Sequence, residues 1–361
     1  MSVGHIELNM HIMNSIKKTF FLTDLMKTGD HQRIEQFLDL CTLPQEQIRY
    51  SGEYYTLHDR DLTQYDRLYA MIDHRKQNSK LWNSTEYWEE FSRRIKILKQ
   101  KDFQFIIAQP WESEENLHET QHHKPFLSNT KYCTWSGGVN WFWFLMYEKH
   151  KDKKYNFNHS NKKYDFLYLN KQSRTHRKQL FDALQKQSLL DNSLISFLDP
   201  PYNIKLNRAY ELPWVNTKNY PRYGSDQDIY EPQFNDCAFN LVSETNDNNH
   251  DVFITEKLWK PIIAQQIFVV HGNFGYLKKL REMGFRTFDS VFDESYDQES
   301  DPDKRIEKLV SLCQHLRTVD KSKIYQATAD IRQHNYNLFF NKDALSNSIN
   351  KEFFKPLFET Y

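Results

Sequence analysis

The chain has few cysteines, no surplus of either charge and no long apolar run, and each shortage argues against a class of protein. Its four cysteines, Cys41, Cys133, Cys237 and Cys313, lie far apart with no CxxC pair. Neither a zinc knuckle nor a disulfide framework follows from that spacing, and reduced thiols are expected. Lys+Arg and Asp+Glu both number 48, so the formal net charge is +0. A protein that grips long stretches of nucleic-acid backbone carries a basic excess, so a dedicated nucleic-acid binder is disfavoured. No window has the length of an apolar membrane span, and the opening MSVGHIELNMHIMNSIKK lacks the uninterrupted apolar core of a signal peptide. A cytoplasmic protein without internal repeats is the expectation.

What is present is core material for two domains: 361 residues, 39% hydrophobic and 15% aromatic. Residues 151–163, charged and Asn-rich, have the composition of a linker. They set off a first domain, 1–150, from a second, 164–340, with a C-terminal helix over 341–361 expected to pack back on the first. In the first domain YYTLHDRDLTQYDRLYAMIDHRK reads as loops and helices, and FQFIIA as a strand stopped by Pro110. The continuous apolar run WFWFLMY, 141–147, belongs in the core. In the second domain strands (KYDFLYLN, SLISFL, CAFNLVSE, IFVVHG) alternate with helical patterns. Alternation of this kind means parallel βαβ units with ligands at the carboxyl ends of the strands.

Two short stretches in that domain point to an anion. In FITEKLWKPI, Thr255 is placed to cap a helix starting at Glu256, and Lys257 adds a positive charge to the free N–H groups there. Glu256 would repel phosphate, yet a carboxylate suits sugar hydroxyls. A plain alternative is that Glu256 serves the helix dipole while Lys257 is solvated. In NKQSRTHRKQLFDALQ, Arg174, His176 and Arg177 occupy the turn between a strand and its helix. Positive charge at a helix N-terminus is unfavourable unless an anion compensates it.

FITEKLWKPI, preceded by NLVSETNDNN, resembles the donor-binding signature of the family-ten glycosyltransferases, the α1,3-fucosyltransferases with their bacterial, phage and viral relatives. RKQLFDALQ resembles the family segment whose arginine contacts donor phosphates. The resemblance covers roughly residues 163–340. It implies a GT-B-like α/β fold, two Rossmann-type domains facing a cleft, with the acceptor side in the first. It also implies inverting transfer from a nucleotide-sugar donor to a glycan hydroxyl. Arg177 would then bind the diphosphate with Lys257 behind it, and Glu256 would hold the ribose. Arg174, Glu244, Asn246 and Thr255 would lie at the donor, and Phe253 stands where the family has Tyr.

Inverting transfer needs a general base for the acceptor and charge neutralisation for the leaving group. Glu112 and Glu114, after FQFIIA, stand at a strand's carboxyl end and are the candidate bases, against the plainer reading of a solvated acidic turn. His118-Glu119-Thr120-Gln121-His122 matches HExxH, but Pro125 follows at once and no third ligand stands out. Asp226-Gln227-Asp228 has the DxD form that holds Mn²⁺ or Mg²⁺, as do Asp59-Arg60-Asp61 and Asp301-Pro302-Asp303. No cofactor is expected beyond the donor itself, and a divalent metal is not favoured. Two alternatives stay open: a viral or phage glycosyltransferase acting on hydroxylated DNA bases, and a non-catalytic nucleotide- or glycan-binding protein.

Overall fold

The computed structural model describes residues 19–22, 36–37, 39–40, 48–51, 67–73, 102–108, 131–135, 138–205, 227–247 and 252–354. The chain forms two compact units, Met1–Gly137 with Ser346–Tyr361, and Gly138–Leu345. Each carries its own parallel sheet, and the fold is of the α/β class.

The first unit holds β1 (Thr19–Leu22), β2 (Ile48–Ser51), β3 (Arg67–Asp73), β4 (Asp102–Ala108) and β5 (Lys131–Trp135). All pairings are parallel, in the order β2-β1-β3-β4-β5. The expected strand FQFIIA is β4. The reading of the Tyr- and Asp-rich stretch as loops and helices is corrected at RLYAMID, which forms β3 between β1 and β4. Short strands dominated by polar neighbours carry little periodicity, and pairing on both sides decides the conformation.

The second unit begins with α1 (Gly138–His150), then β6 (Tyr164–Asn170), α2 (Thr175–Lys186), β7 (Leu194–Phe197), α3 (Glu231–Asp236) and β8 (Cys237–Ser243). It continues through α4 (Glu256–Ile263), β9 (Ile267–His271), α5 (Tyr276–Glu282), α6 (Pro302–Thr318), α7 (Lys321–Ala327), α8 (Ala329–Phe339) and the start of α9 (Lys342–Ile349), whose residues from Ser346 belong to the first unit. The order β7-β6-β8-β9 is parallel throughout. Every residue of β8 and β9 is buried, as expected for strands covered on both faces. The one polar side chain in mid-β8, Asn240, donates to Gln266, whose own amide donates to the Cys237 carbonyl.

The apolar run 141–147 lies in α1, whose residues from 142 to 147 are buried. Trp143 packs its ring 5.6 Å from Trp259 and 5.1 Å from Phe285, and donates its indole N–H to the Phe339 carbonyl at 2.9 Å. The Trp259 indole N–H, by contrast, is buried without a partner. The stretch DKSKIYQATADIRQHNYNLFF forms two helices, interrupted at Thr328. The Thr328 hydroxyl donates back to the Ile324 carbonyl and accepts from Arg332, a local alternative to continuing the helix.

Residues 151–163 lie within the second unit and are tied to its α3: the Asn156 N–H donates to Glu231, and the Lys162 ammonium to the carbonyls of Phe234 and Asn235. In the first unit the Ser346 hydroxyl donates to the Leu40 carbonyl.

The two tryptophans should respond differently to the same change. Trp143→Phe leaves the Phe339 carbonyl without its donor, whereas Trp259→Phe removes an indole N–H that has none. Leaving a buried group unsatisfied costs about 1–3 kcal/mol, so Trp143→Phe should be the more destabilising by roughly that amount in urea unfolding. Equal losses would mean that ring volume alone decides.

Candidate functional site

In the second sheet the chain leaves β6 for β7 on one side and β8 for β9 on the other. The loops after β6 and β8 therefore diverge, and the crevice at such a switch point is where open parallel sheets take ligands. The carboxyl ends are level there, with Asn170 paired to Phe197 and Ser243 to His271.

The loop after β6 leads into α2, with Arg174 as its N-cap residue in extended conformation and no side-chain cap. The first turn has no acidic residue, and Arg174, His176 and Arg177 crowd it. Arg174, partly exposed, donates to the Thr245 carbonyl at 2.6 Å, to Asn246 Oδ1 at 3.1 Å and to Gln172. Arg177 is 3% exposed and donates through Nε and Nη2 to the Glu244 carbonyl at 3.2 and 2.9 Å, and through Nη1 to the Gln172 carbonyl. Burial lowers the pKa of both guanidiniums. Their hydrogen-bond partners are uncharged oxygens.

Glu244, the residue after β8, is fully buried. Its Oε1 accepts from the Thr255 N–H at 3.0 Å and the Tyr276 hydroxyl at 2.8 Å. Its Oε2 accepts from the Thr255 hydroxyl at 2.7 Å and the Thr245 N–H at 3.2 Å. The carboxylate is thus engaged by the protein on both oxygens. Main chain and side chain of one residue hold the cations of α2 and the start of α4.

Thr255 caps α4, its hydroxyl accepting from the Lys257 N–H. The Lys257 ammonium touches Glu256 at 2.8 Å, Thr255 Oγ1 at 3.1 Å and Thr245 Oγ1 at 3.3 Å, and its side chain is 26% exposed. Burial pushes the Glu256 carboxyl up, but Lys257 and Lys260 outweigh it and hold the group below the usual carboxylate range. Arg174 and Lys257, from two helix starts, therefore meet on one residue, Thr245.

The sequence reasoning brings six of its donor-side residues together here: Arg174, Arg177, Glu244, Asn246, Glu256 and Lys257, with Thr255 as the cap. The Phe253 ring is buried and packs edge-on against Phe142 at 5.6 Å. Glu112, Glu114 and the HExxH run lie outside the described residues. Asp228 pairs with Lys149 at 2.7 Å, and Asp301 caps α6 by accepting from the N–H groups of Asp303 and Lys304. Among the described residues no cluster of three or more His, Cys, Asp or Glu has the arrangement of a metal site. Among them, too, no helix is long and apolar enough to cross a membrane.

Four further participants escaped the sequence reading. Thr245 follows Glu244 and is the shared contact. Tyr276 reaches back from α5 to Glu244. Arg305, in the first turn of α6, donates to the carbonyls of Gly272 at 2.8 Å and Glu299 at 2.8 Å. His271, ending β9, is buried with Nδ1 unpartnered and its ring 5.5 Å from that of His176. No shared local signal marks them: Thr245 and His271 lie at or just past strand ends, whereas Tyr276 and Arg305 lie in the first turns of helices.

A scan of protein-family models and a search of curated protein sequences return no match. Among solved structures the chain is similar to a crystal structure of an α1,3-fucosyltransferase with GDP-fucose, at 8% identity and TM-score 0.37, covering 94% of this chain and 90% of that one.

Glu244→Gln replaces one acceptor oxygen by a donor facing donors, so it should destabilise the unit by at least the about 1–3 kcal/mol of an unsatisfied buried group. Tyr276→Phe, which removes a single donor, should cost less. Urea unfolding of both variants checks the order, and a neutral Glu244→Gln would refute the central role of this carboxylate.

Burial, followed by the neighbouring charge of His176, Arg305 and Arg177, lowers the pKa of His271 from 6.5 to about 3. Between those values the unfolded chain binds the proton and the folded chain does not. Stability therefore falls as pH drops through that window, by up to about 1.4 kcal/mol per pH unit from this group. His271→Gln should flatten the dependence of unfolding free energy on pH below 6.5, and an unchanged slope would contradict the assignment.

Proposed function

We propose that the chain is a nucleotide-sugar-dependent glycosyltransferase, fucosyltransferase-like and inverting, that transfers a sugar to a glycan hydroxyl. One observation carries this reading: Arg174 and Lys257 meet on Thr245 at the switch point of the second sheet, and both are partly exposed. Arg174 on neutral oxygens only, and Lys257 offset by a single carboxylate, each at the positive end of a helix, favour an anion with more than one charge. A diphosphate leaving group has that charge, and its neutralisation by fixed protein groups is what glycosyl transfer requires.

Glu256 fits the same ligand. A carboxylate held ionised by Lys257 is a poor proton acceptor and a good hydrogen-bond acceptor, so its proposed role is to read ribose hydroxyls. Arg177 is proposed to add charge from beneath while its guanidinium holds the Glu244 carbonyl. The donor would need no metal. The general base belongs to the acceptor side, for which the sequence offers Glu112 and Glu114.

Thermal-shift and calorimetric titration with nucleoside diphosphates and nucleotide-sugars should reveal binding. Lys257→Ala and Arg174→Ala should each weaken it roughly ten- to a hundredfold, the effect of losing a charged contact. Glu256→Gln should weaken ribonucleotides more than deoxyribonucleotides and lower turnover in step with donor binding. Absence of binding to any nucleoside diphosphate would sink the proposal. Normal donor binding with turnover lost by orders of magnitude in Glu256→Gln would make Glu256 the base instead.

A further inference from the structure

Three large apolar side chains are exposed among the described residues: Leu169, Leu198 and Phe274. Each stands at the carboxyl edge of the second sheet, in the last turns of β6, just past β7 and just past β9. Phe274 is 53% exposed, while the ring of Tyr276, two residues on, is buried. Leaving a ring of this size in water forgoes burial that a folded chain normally takes.

The turn that presents Phe274 is fixed from behind. Asp297 accepts from the N–H groups of Leu277 and Lys278 at 2.7 and 3.0 Å, and its carbonyl accepts from the Gly275 N–H at 2.8 Å. Arg305 grips the Gly272 carbonyl. A Cβ on Gly272 would come within 2.9 Å of the Tyr276 ring and 3.5 Å of Glu244 Cβ, so only glycine lets the turn close on the polar cluster. Gly275 takes φ 73°, which glycine adopts without strain. The side chain is therefore exposed on a held turn, one strand away from Glu244 and Thr245.

We infer that Phe274 is the stacking surface for the nucleobase of the donor, an assignment that rests on the nucleotide-sugar reading above. A nucleoside diphosphate anchored by its phosphates on Arg174 and Lys257 extends its ring beyond the charged cluster. Among the described residues Phe274 is the exposed aromatic ring at that edge of the sheet. Base stacking on a phenyl ring tolerates any base, since every base has a flat π face.

Phe274→Ala should lower the affinity for the best-bound of ADP, GDP, UDP and CDP by about five- to a hundredfold, the usual effect of removing a stacked ring. Pyrophosphate, which has no base, should bind wild type and Phe274→Ala alike. Phe274→Tyr should restore nucleoside diphosphate binding. Phe274→Leu, apolar but not planar, should remain close to the alanine variant. Unchanged nucleoside diphosphate affinity in Phe274→Ala overturns the inference while leaving the function proposal in place. So does an equal loss for pyrophosphate, or full rescue by leucine. A wild-type chain that binds pyrophosphate but no nucleoside diphosphate better than pyrophosphate overturns the stacking role, and one that binds neither overturns both.

Discussion

The carboxylate of Glu244 is the constraint on which the site depends. A fully buried acceptor needs donors on every side, and here they come from the chain just after it, from the cap of α4 and from the first residue of α5. Satisfying that one group brings Thr255 and Tyr276 to the end of β8. The carbonyl of the same residue then receives His176 and Arg177 from the opposite helix. Three helix starts are thus registered against one another by a single residue rather than by a network of surface ion pairs, which would be worth little.

Charge in the site is handled unequally, and the inequality gives it chemistry. Glu244 is surrounded by neutral donors and Arg174 and Arg177 by neutral acceptors, so these charges are oriented but not cancelled by a direct partner. Glu256 is closely paired with Lys257, and the His176 ring stands 3.3 Å from the Asp247 carboxylate. Desolvation raises the strength of every such interaction and makes uncompensated charge costly, a combination that favours a polyanionic occupant over water.

Much of this was legible in the sequence, because the informative signals were local. Apolar runs bounded by polar turns marked β6 to β9, and Thr-Glu-Lys after an apolar-rich strand marked the start of α4. Gly284, at φ 93°, stands just past the end of α5, where glycine is a local stop signal. The illegible part is non-local. Nothing in the letters around Thr245 says that Arg174, 71 residues earlier, will reach its carbonyl. RLYAMID looks like neither helix nor strand until β1 and β4 flank it. Nor do the letters beside the Thr-Glu-Lys motif say that the Phe253 ring will pack against Phe142, a residue far away in sequence.

Arg305 has a mechanical consequence. Its guanidinium spans the carbonyls of Asp247, Gly272 and Glu299, which belong to three separate loops. A lysine at this position has no planar fork with which to hold three acceptors at once. Loops clipped to one rigid plate do not relax independently: a shift of the 245–247 turn is transmitted through the guanidinium to the 272–275 turn. In the proposed complex, occupancy at the phosphate end would thereby be felt at the ring end, and the two ends of one ligand would report to each other through the protein as well as through the ligand.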